Sequence, residues 1–305
     1  MKRDTAVQIT GRILILSFIL YLLGSFSFPD TQFQITHFQY AWIFLPIAFL
    51  NAIMLSIPIL RARQGGWRLV IAIFLIFYAV STLLVAAEAY YMSDVLSPDV
   101  AFKLIINGMI QAAIFSPVAV AIHGRLRSED NQKSNERLQV RHWWSWLWRI
   151  PLTGMAYVAL FIFAGSVVFR PLAYALDPVT ADAYLGSFAV DNPNAILGFQ
   201  FLRGMLWAVL TIPAIYIMRP PRWSIGLTIA LIYGVVMALP NLVPNEVLTS
   251  GLRLAHTVEV FVGNFLFGWV VVWLLASPES EEEPDVVKDK HQAVLEMTPK
   301  QKERF

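Results

Sequence analysis

Apolar residues along this chain fall into eight long runs, at roughly residues 13–28, 40–60, 69–91, 104–122, 150–169, 201–218, 223–243 and 254–276, separated by shorter polar stretches. A bilayer core of about 30 Å is crossed by roughly 17–25 helical residues, and irregular backbone inside it would leave peptide groups without partners. The pattern therefore predicts an all-α polytopic integral membrane protein with about eight transmembrane helices. The first run follows a basic segment, as a signal peptide would, but no small-residue cleavage site follows Phe28 and a second run comes soon after. It reads as a retained helix.

The polar connections alternate in charge. Nineteen of the 23 Lys and Arg residues lie on one side of the series, in the segments holding Lys2, Arg3 and Arg12, then Arg61, Arg63 and Arg68, then Arg125 to Arg149, then Arg219 and Arg222, and finally the tail. The other side has Lys103, Arg170, Arg203 and Arg253. By the positive-inside rule both termini are expected in the cytoplasm, in an inner or plasma membrane. Composition agrees: 57% of residues are hydrophobic, 14% are charged and the mean hydropathy is +0.59. The net charge of +2 lies along one face, where lipid headgroups are the expected partner, so no nucleic acid is implied. With no Cys there is no thiolate nucleophile, disulfide or cysteine metal site, and no cofactor is expected.

The domain expected over residues 1–276 is divided by a basic loop, 124–144, into stretches 1–123 and 145–276 of four spans each. Ile57-Pro58 leads through a basic turn to Tyr78, and Ile212-Pro213 leads through another to Tyr233, with Trp67-Arg68 and Arg222-Trp223 between them. Duplication of a four-helix unit and chance recurrence both fit so few identities. The loop ends in RHWWSWLWRI, whose Trp143, Trp144, Trp146 and Trp148 suit the headgroup region as anchors. Residues 171–200 form the longest connection on the less basic side. There Asp177-Pro178 followed by Thr180 predicts a short helix, either a lid or a connector. The tail, 277–305, opens acidic, lacks core-forming residues and is expected to be disordered.

Ionisable groups within the apolar runs cost about 2.5 kcal/mol or more near a helix centre, so each needs a reason. On span eight, steps of three and four place Arg253, His256, Glu259 and Gly263 on one stripe. Span four carries Lys103, Asn107 and Gln111 at spacings of four. Glu88 near the end of span three and Arg203 near the start of span six lie at similar depth. The eight residues Glu88, Lys103, Asn107, Gln111, Arg203, Arg253, His256 and Glu259 are expected to converge on a polar cavity open to the outer side. Interhelical ion pairs, or snorkelling by Lys103, Arg203 and Arg253, are the structural alternative. His256 and Glu259 share the spacing of a helical metal pair, yet the further carboxylates such a site needs are missing and His37, the remaining outer-side histidine, sits in a loop. Pro58, Pro117, Pro213 and Pro240 interrupt spans and can kink them, but proline is also common in ordinary membrane helices, and that is the expectation here.

No Gly-rich phosphate loop, voltage-sensor arginine series or hydrolase constellation occurs. Three classes remain. A secondary transporter or permease for a small molecule would couple ion to solute through Glu259, His256 or Glu88. A membrane-embedded enzyme acting on a lipid or lipid-linked substrate would use His256 or Glu259 as base, with Arg203 or Arg253 holding an anionic headgroup. A structural or regulatory subunit would use the cluster for packing alone.

Overall fold

A computed structural model of the chain describes residues 5–26, 40–92, 97–127, 143–187, 193–219, 221–244 and 248–277. The expectations for the tail beyond 277, for loop residues 128–142 and for His37 lie outside the described residues. Among those described, eight helical segments are long and apolar enough to cross a membrane. The protein is an all-α, multi-pass membrane protein. Among the described residues its one trace of β structure is an isolated antiparallel bridge between Ala62 and Met218.

The first two spans are α1 (Ala6–Phe26) and α2 (Ala41–Arg61). The third is α3 (Trp67–Tyr78) continued through a π turn, Ala79–Leu83, into α4 (Leu84–Met92), and the fourth is α5 (Pro98–Ile122). Span five is α6 (Trp144–Phe163), a π turn at Ala164–Phe169 and α7 (Arg170–Leu176), after which the short helix α8 (Pro178–Ser187) forms where the Asp-Pro signal predicts it. Span six is α9 (Pro193–Ile217). Span seven is α10 (Arg222–Leu231) with a π turn at Ile232–Val236 and a 3₁₀ turn at Leu239–Leu242, and span eight is α11 (Ser250–Leu275).

Two local features add to the sequence reading. The tryptophan run is helical from Trp144, so α6 begins before the hydropathy run does, with Trp144 and Trp148 exposed and Trp146 packed against Tyr216. The helices also run through Pro58, Pro117 and Pro213, and only Pro240 falls in a non-α turn. Among the described residues the breaks in α-helical regularity are the three π turns, none of which contains proline, and the 3₁₀ turn Leu239–Leu242, which contains Pro240.

Helices here pack without the hydrophobic drive available in water, so close approach by small residues matters. A Cβ on Gly268 of α11 would lie 2.5 Å from Ala230 Cα of α10, and one on Gly154 of α6 would lie 2.7 Å from Phe201 O of α9. The deepest packing is aromatic: Trp207 lies 4.9 Å from Tyr157, 5.9 Å from Tyr233 and 6.1 Å from Phe267 between ring centroids. Tyr233 binds Thr211 Oγ1 at 2.5 Å and donates to Trp207 O at 3.1 Å, so its buried hydroxyl is satisfied.

At one end of the bundle arginines of the connecting turns and of helix N-termini donate to carbonyls at helix C-termini. Arg125 reaches Ile59 O and Leu60 O, Arg63 reaches Tyr216 O at 2.6 Å, Arg149 reaches Leu274 O and Arg222 reaches Trp273 O. A cation there satisfies orphan carbonyls and meets the negative end of the helix dipole. The positive charge of this basic end is thus partly used within the fold.

Candidate functional site

At the opposite end, α4, α6, α9 and α11 bring polar groups together against two π turns. Arg203 of α9 and Glu88 of α4 form a close ion pair, with the Arg203 side chain 2% exposed and that of Glu88 27% exposed. Gln200, one turn before Arg203, donates through Nε2 to Glu88 Oε1 at 2.8 Å and accepts from Arg203 at 3.2 Å. Arg203 also donates to Tyr157 Oη of α6 at 3.0 Å, and its guanidinium carbon stands 4.2 Å from the Trp207 ring centroid. A buried guanidinium needs a counterion, acceptors and a weakly hydrated surface, and this nest supplies all three.

The second cluster lies on α11. His256 Nδ1 and Glu259 Oε2 are 2.8 Å apart across one helical step of three. Both are within electrostatic reach of the first cluster: His256 senses the charges of Glu88 and Arg203, and Tyr157 senses Glu259. The π turn Ala164–Phe169 adjoins the carboxylate: a Cβ on Gly165 would be in ordinary contact with Glu259 Oε1 at 3.6 Å. Such turns are rare and frequent at functional sites. The Phe169 ring meets His256 edge-on at 6.0 Å.

One third of the His256 side-chain surface is accessible, against 15% for Glu259. His256 is thus the more accessible partner of the pair. Above it, α8 packs through Ala181, Tyr184 and Leu185 on the cluster formed by Phe169, Ala173, Leu252 and Ala255. Tyr184 is 5.7 Å from the Phe169 centroid and senses both Glu259 and Glu88. Asp177 ties this cap down. Its Oδ1 accepts from Thr180 N at 3.2 Å, starting α8, while Oδ2 accepts from Thr249 Oγ1 at 2.6 Å, the residue that caps α11. Those two donors, the Thr249 hydroxyl first, hold the Asp177 carboxyl below its ordinary range.

Of the eight residues singled out by sequence, Glu88 and Arg203 meet directly, His256 and Glu259 meet directly, and the two pairs are electrostatic neighbours. Arg253 lies a turn from His256, its guanidinium donating to Leu248 O at 2.8 Å. Lys103, Asn107 and Gln111 share α5, which packs on α1, α3 and α4; Lys103 is exposed and the other two are half-buried. α5, which bears the stripe, thus adjoins the helix that carries Glu88. Sequence reading missed Gln200, Tyr157 and Tyr184. Gln200 had a signal, three residues before Arg203 in an apolar run, whereas the tyrosines carry no charge to mark them.

Chemically, a carboxylate can only accept, so the bond between His256 and Glu259 holds one proton that either partner can own. Among the described residues no group of three or more His, Cys, Asp or Glu gathers to hold a metal ion. No protein-family model matches the chain, and no curated protein or solved structure matches it either, which leaves this geometry to carry the functional reading.

Proposed function

We propose that this multi-pass membrane protein is a secondary transporter in which His256 and Glu259 take up and release a proton in step with the movement of a small solute. The basic end faces the cytoplasm on this reading, as the charge asymmetry argues. The observation that carries it is the state of His256: within a membrane-spanning helix, bonded to a carboxylate, and still one-third accessible. A histidine titrates near neutrality, so a shared proton there can be exchanged under physiological conditions. Packing alone would favour closing such a group off from water, since every interhelical polar group gains by being fully satisfied. Arg203 and Glu88 supply fixed charges near the pair, and the Phe169 ring packs edge-on against His256 with Tyr184 behind it.

The test is proton movement into proteoliposomes containing an entrapped pH dye, challenged in turn with amino acids, sugars, organic cations and organic anions. One class is expected to drive proton flux in wild type, with Glu259→Gln and His256→Ala each abolishing it. Flux that survives both substitutions, or no flux with any class, would overturn the proposal.

A further inference from the structure

The contacts between helices repeat. α1 packs on α2 as α6 packs on α9, α3 on α5 as α10 on α11, and α1 on α5 as α6 on α11. Between the two sets of four spans the contacts are reciprocal. α2 lies against α10 and its π turn, α9 lies against α3 and its π turn, and the two π turns touch each other. Spans four and eight both start at a hydroxyl cap, Ser97 accepting from Val100 N and Thr249 from Leu252 N. At the basic end the bridge between Ala62 and Met218 is self-complementary: Arg63 N donates to Ile217 O at 2.8 Å, and Arg219 N donates to Arg61 O at 3.0 Å. An approximate two-fold relation through that bridge exchanges the two bonds. Two copies in the same orientation, related by an axis along the membrane normal, have this arrangement.

We infer that the chain is two like four-helix halves that hinge about the Ala62 and Met218 bridge, and that Glu88 with Arg203 is the clasp holding them shut at the other end. The inference rests on the transport reading only for what the opening serves. The two ends of the seam are joined very differently. At the basic end, main chain bonds main chain, and Arg61 and Arg63 reach across to carbonyls of Ser224, Arg219 and Tyr216. In the middle, Trp207 Nε1 donates to Ala79 O at 3.1 Å. At the far end the described polar contacts between halves are side-chain contacts from α4 to α9: the Glu88 pair with Arg203, its bond from Gln200, and beside them Tyr91 stacked on Phe199 at 4.6 Å. A join of side chains that depends on one ionised carboxylate can let go without breaking a helix. Neutralising Glu88 leaves the Arg203 charge without a counterion in an apolar seam, and water entry is the cheapest relief. Opening there would widen access to His256, which lies on α11 in the second half.

The chain has no cysteine, so single labels can be placed cleanly. Spin labels at Tyr90→Cys and Leu202→Cys, both exposed on α4 and α9, report the clasp end, and labels at Trp67→Cys and Trp223→Cys, exposed on α3 and α10, report the hinge end. Pulsed distance measurements are expected to show Glu88→Gln lengthening the 90–202 distance by several ångström while the 67–223 distance stays as in wild type, which also shows that the variant is folded. An unchanged 90–202 distance, or equal lengthening of both, would overturn the clasp. If the seam opens but no solute moves protons, the clasp stands and the transport reading falls; if protons move but the seam is indifferent to Glu88→Gln, the clasp alone falls.

Discussion

Replacing Glu88 by Gln and Arg203 by Met, singly and together, weighs the ion pair on which the opposite end of the bundle depends. Removing one partner of a fully buried pair costs about 3–5 kcal/mol, because the charge left behind has lost its counterion. Glu88 is 27% exposed, so water already screens part of the attraction, and the Gln variant is expected to lose about 2–3 kcal/mol. It keeps the Gln200 and Tyr157 acceptors and the Trp207 face for Arg203. Arg203→Met leaves the partly hydrated partner, and its loss should be nearer 1–2 kcal/mol. The double variant has no stranded charge, so it should be more stable than the sum of the two losses predicts, with a coupling of about 1–2 kcal/mol. Reversible unfolding in detergent micelles, measured as a double-mutant cycle, reads this directly. Ordinary hydrogen bonds between membrane helices average about 0.6 kcal/mol. A coupling at or below that value would refute the view that these two charges act as a unit.

Other substitutions address other joints. Gly268→Ala is expected to push α11 off α10, since its Cβ would lie 2.5 Å from backbone that cannot swing aside, lowering stability by about 1–3 kcal/mol in the same unfolding assay. Tyr233→Phe strips Thr211 of its partner in the core and should cost about 1–3 kcal/mol, whereas Tyr174→Phe, at an exposed bond to Asp182, should be close to silent. Asp177 is held more acidic than a free carboxyl, so its stabilising contribution is present above the ordinary carboxylate pKa and is lost as pH falls through the lowered one. Melting temperature followed from pH of about 5 downward should therefore drop more steeply in wild type than in Asp177→Asn; parallel curves would show that the bonds to Thr249 and Thr180 do not matter for stability.

What could be read from sequence follows from what lipid demands of a chain. All eight spans were visible because each must exceed the bilayer thickness in apolar residues, and Glu88, Arg203, His256 and Glu259 stood out because a charge in such a run is costly. The bond between His256 and Glu259 was legible too, being one helical step of three. The pairing of Glu88 with Arg203 was not, since it depends on α4 meeting α9, and nothing local specifies that neighbour. The same limit hides where the stripe of Lys103, Asn107 and Gln111 is directed: its spacing gives a face, and only the packing of α5 on α1, α3 and α4 gives the surroundings. The π turns were invisible because prolines, the obvious breakers, lie elsewhere and are absorbed within helices. Ala79–Leu83 and Ala164–Phe169 are ordinary helical sequence whose extra residue is accommodated by tertiary contacts such as the Trp207 indole on Ala79 O. The start of α6 within the tryptophan run was not legible, because the helix begins ahead of the apolar run that marks the span.

The central claim is that the proton between His256 and Glu259 is exchangeable with water. Infrared difference spectra of the purified protein, taken across pH from about 4 to 9, test it most directly, with Glu259→Gln and His256→Ala as references. The account predicts a carboxyl or imidazole band that titrates reversibly within that range in wild type and disappears in both variants. A spectrum with no titrating band that depends on these two residues would mean that they form a locked structural pair, and the transport reading would fall with it.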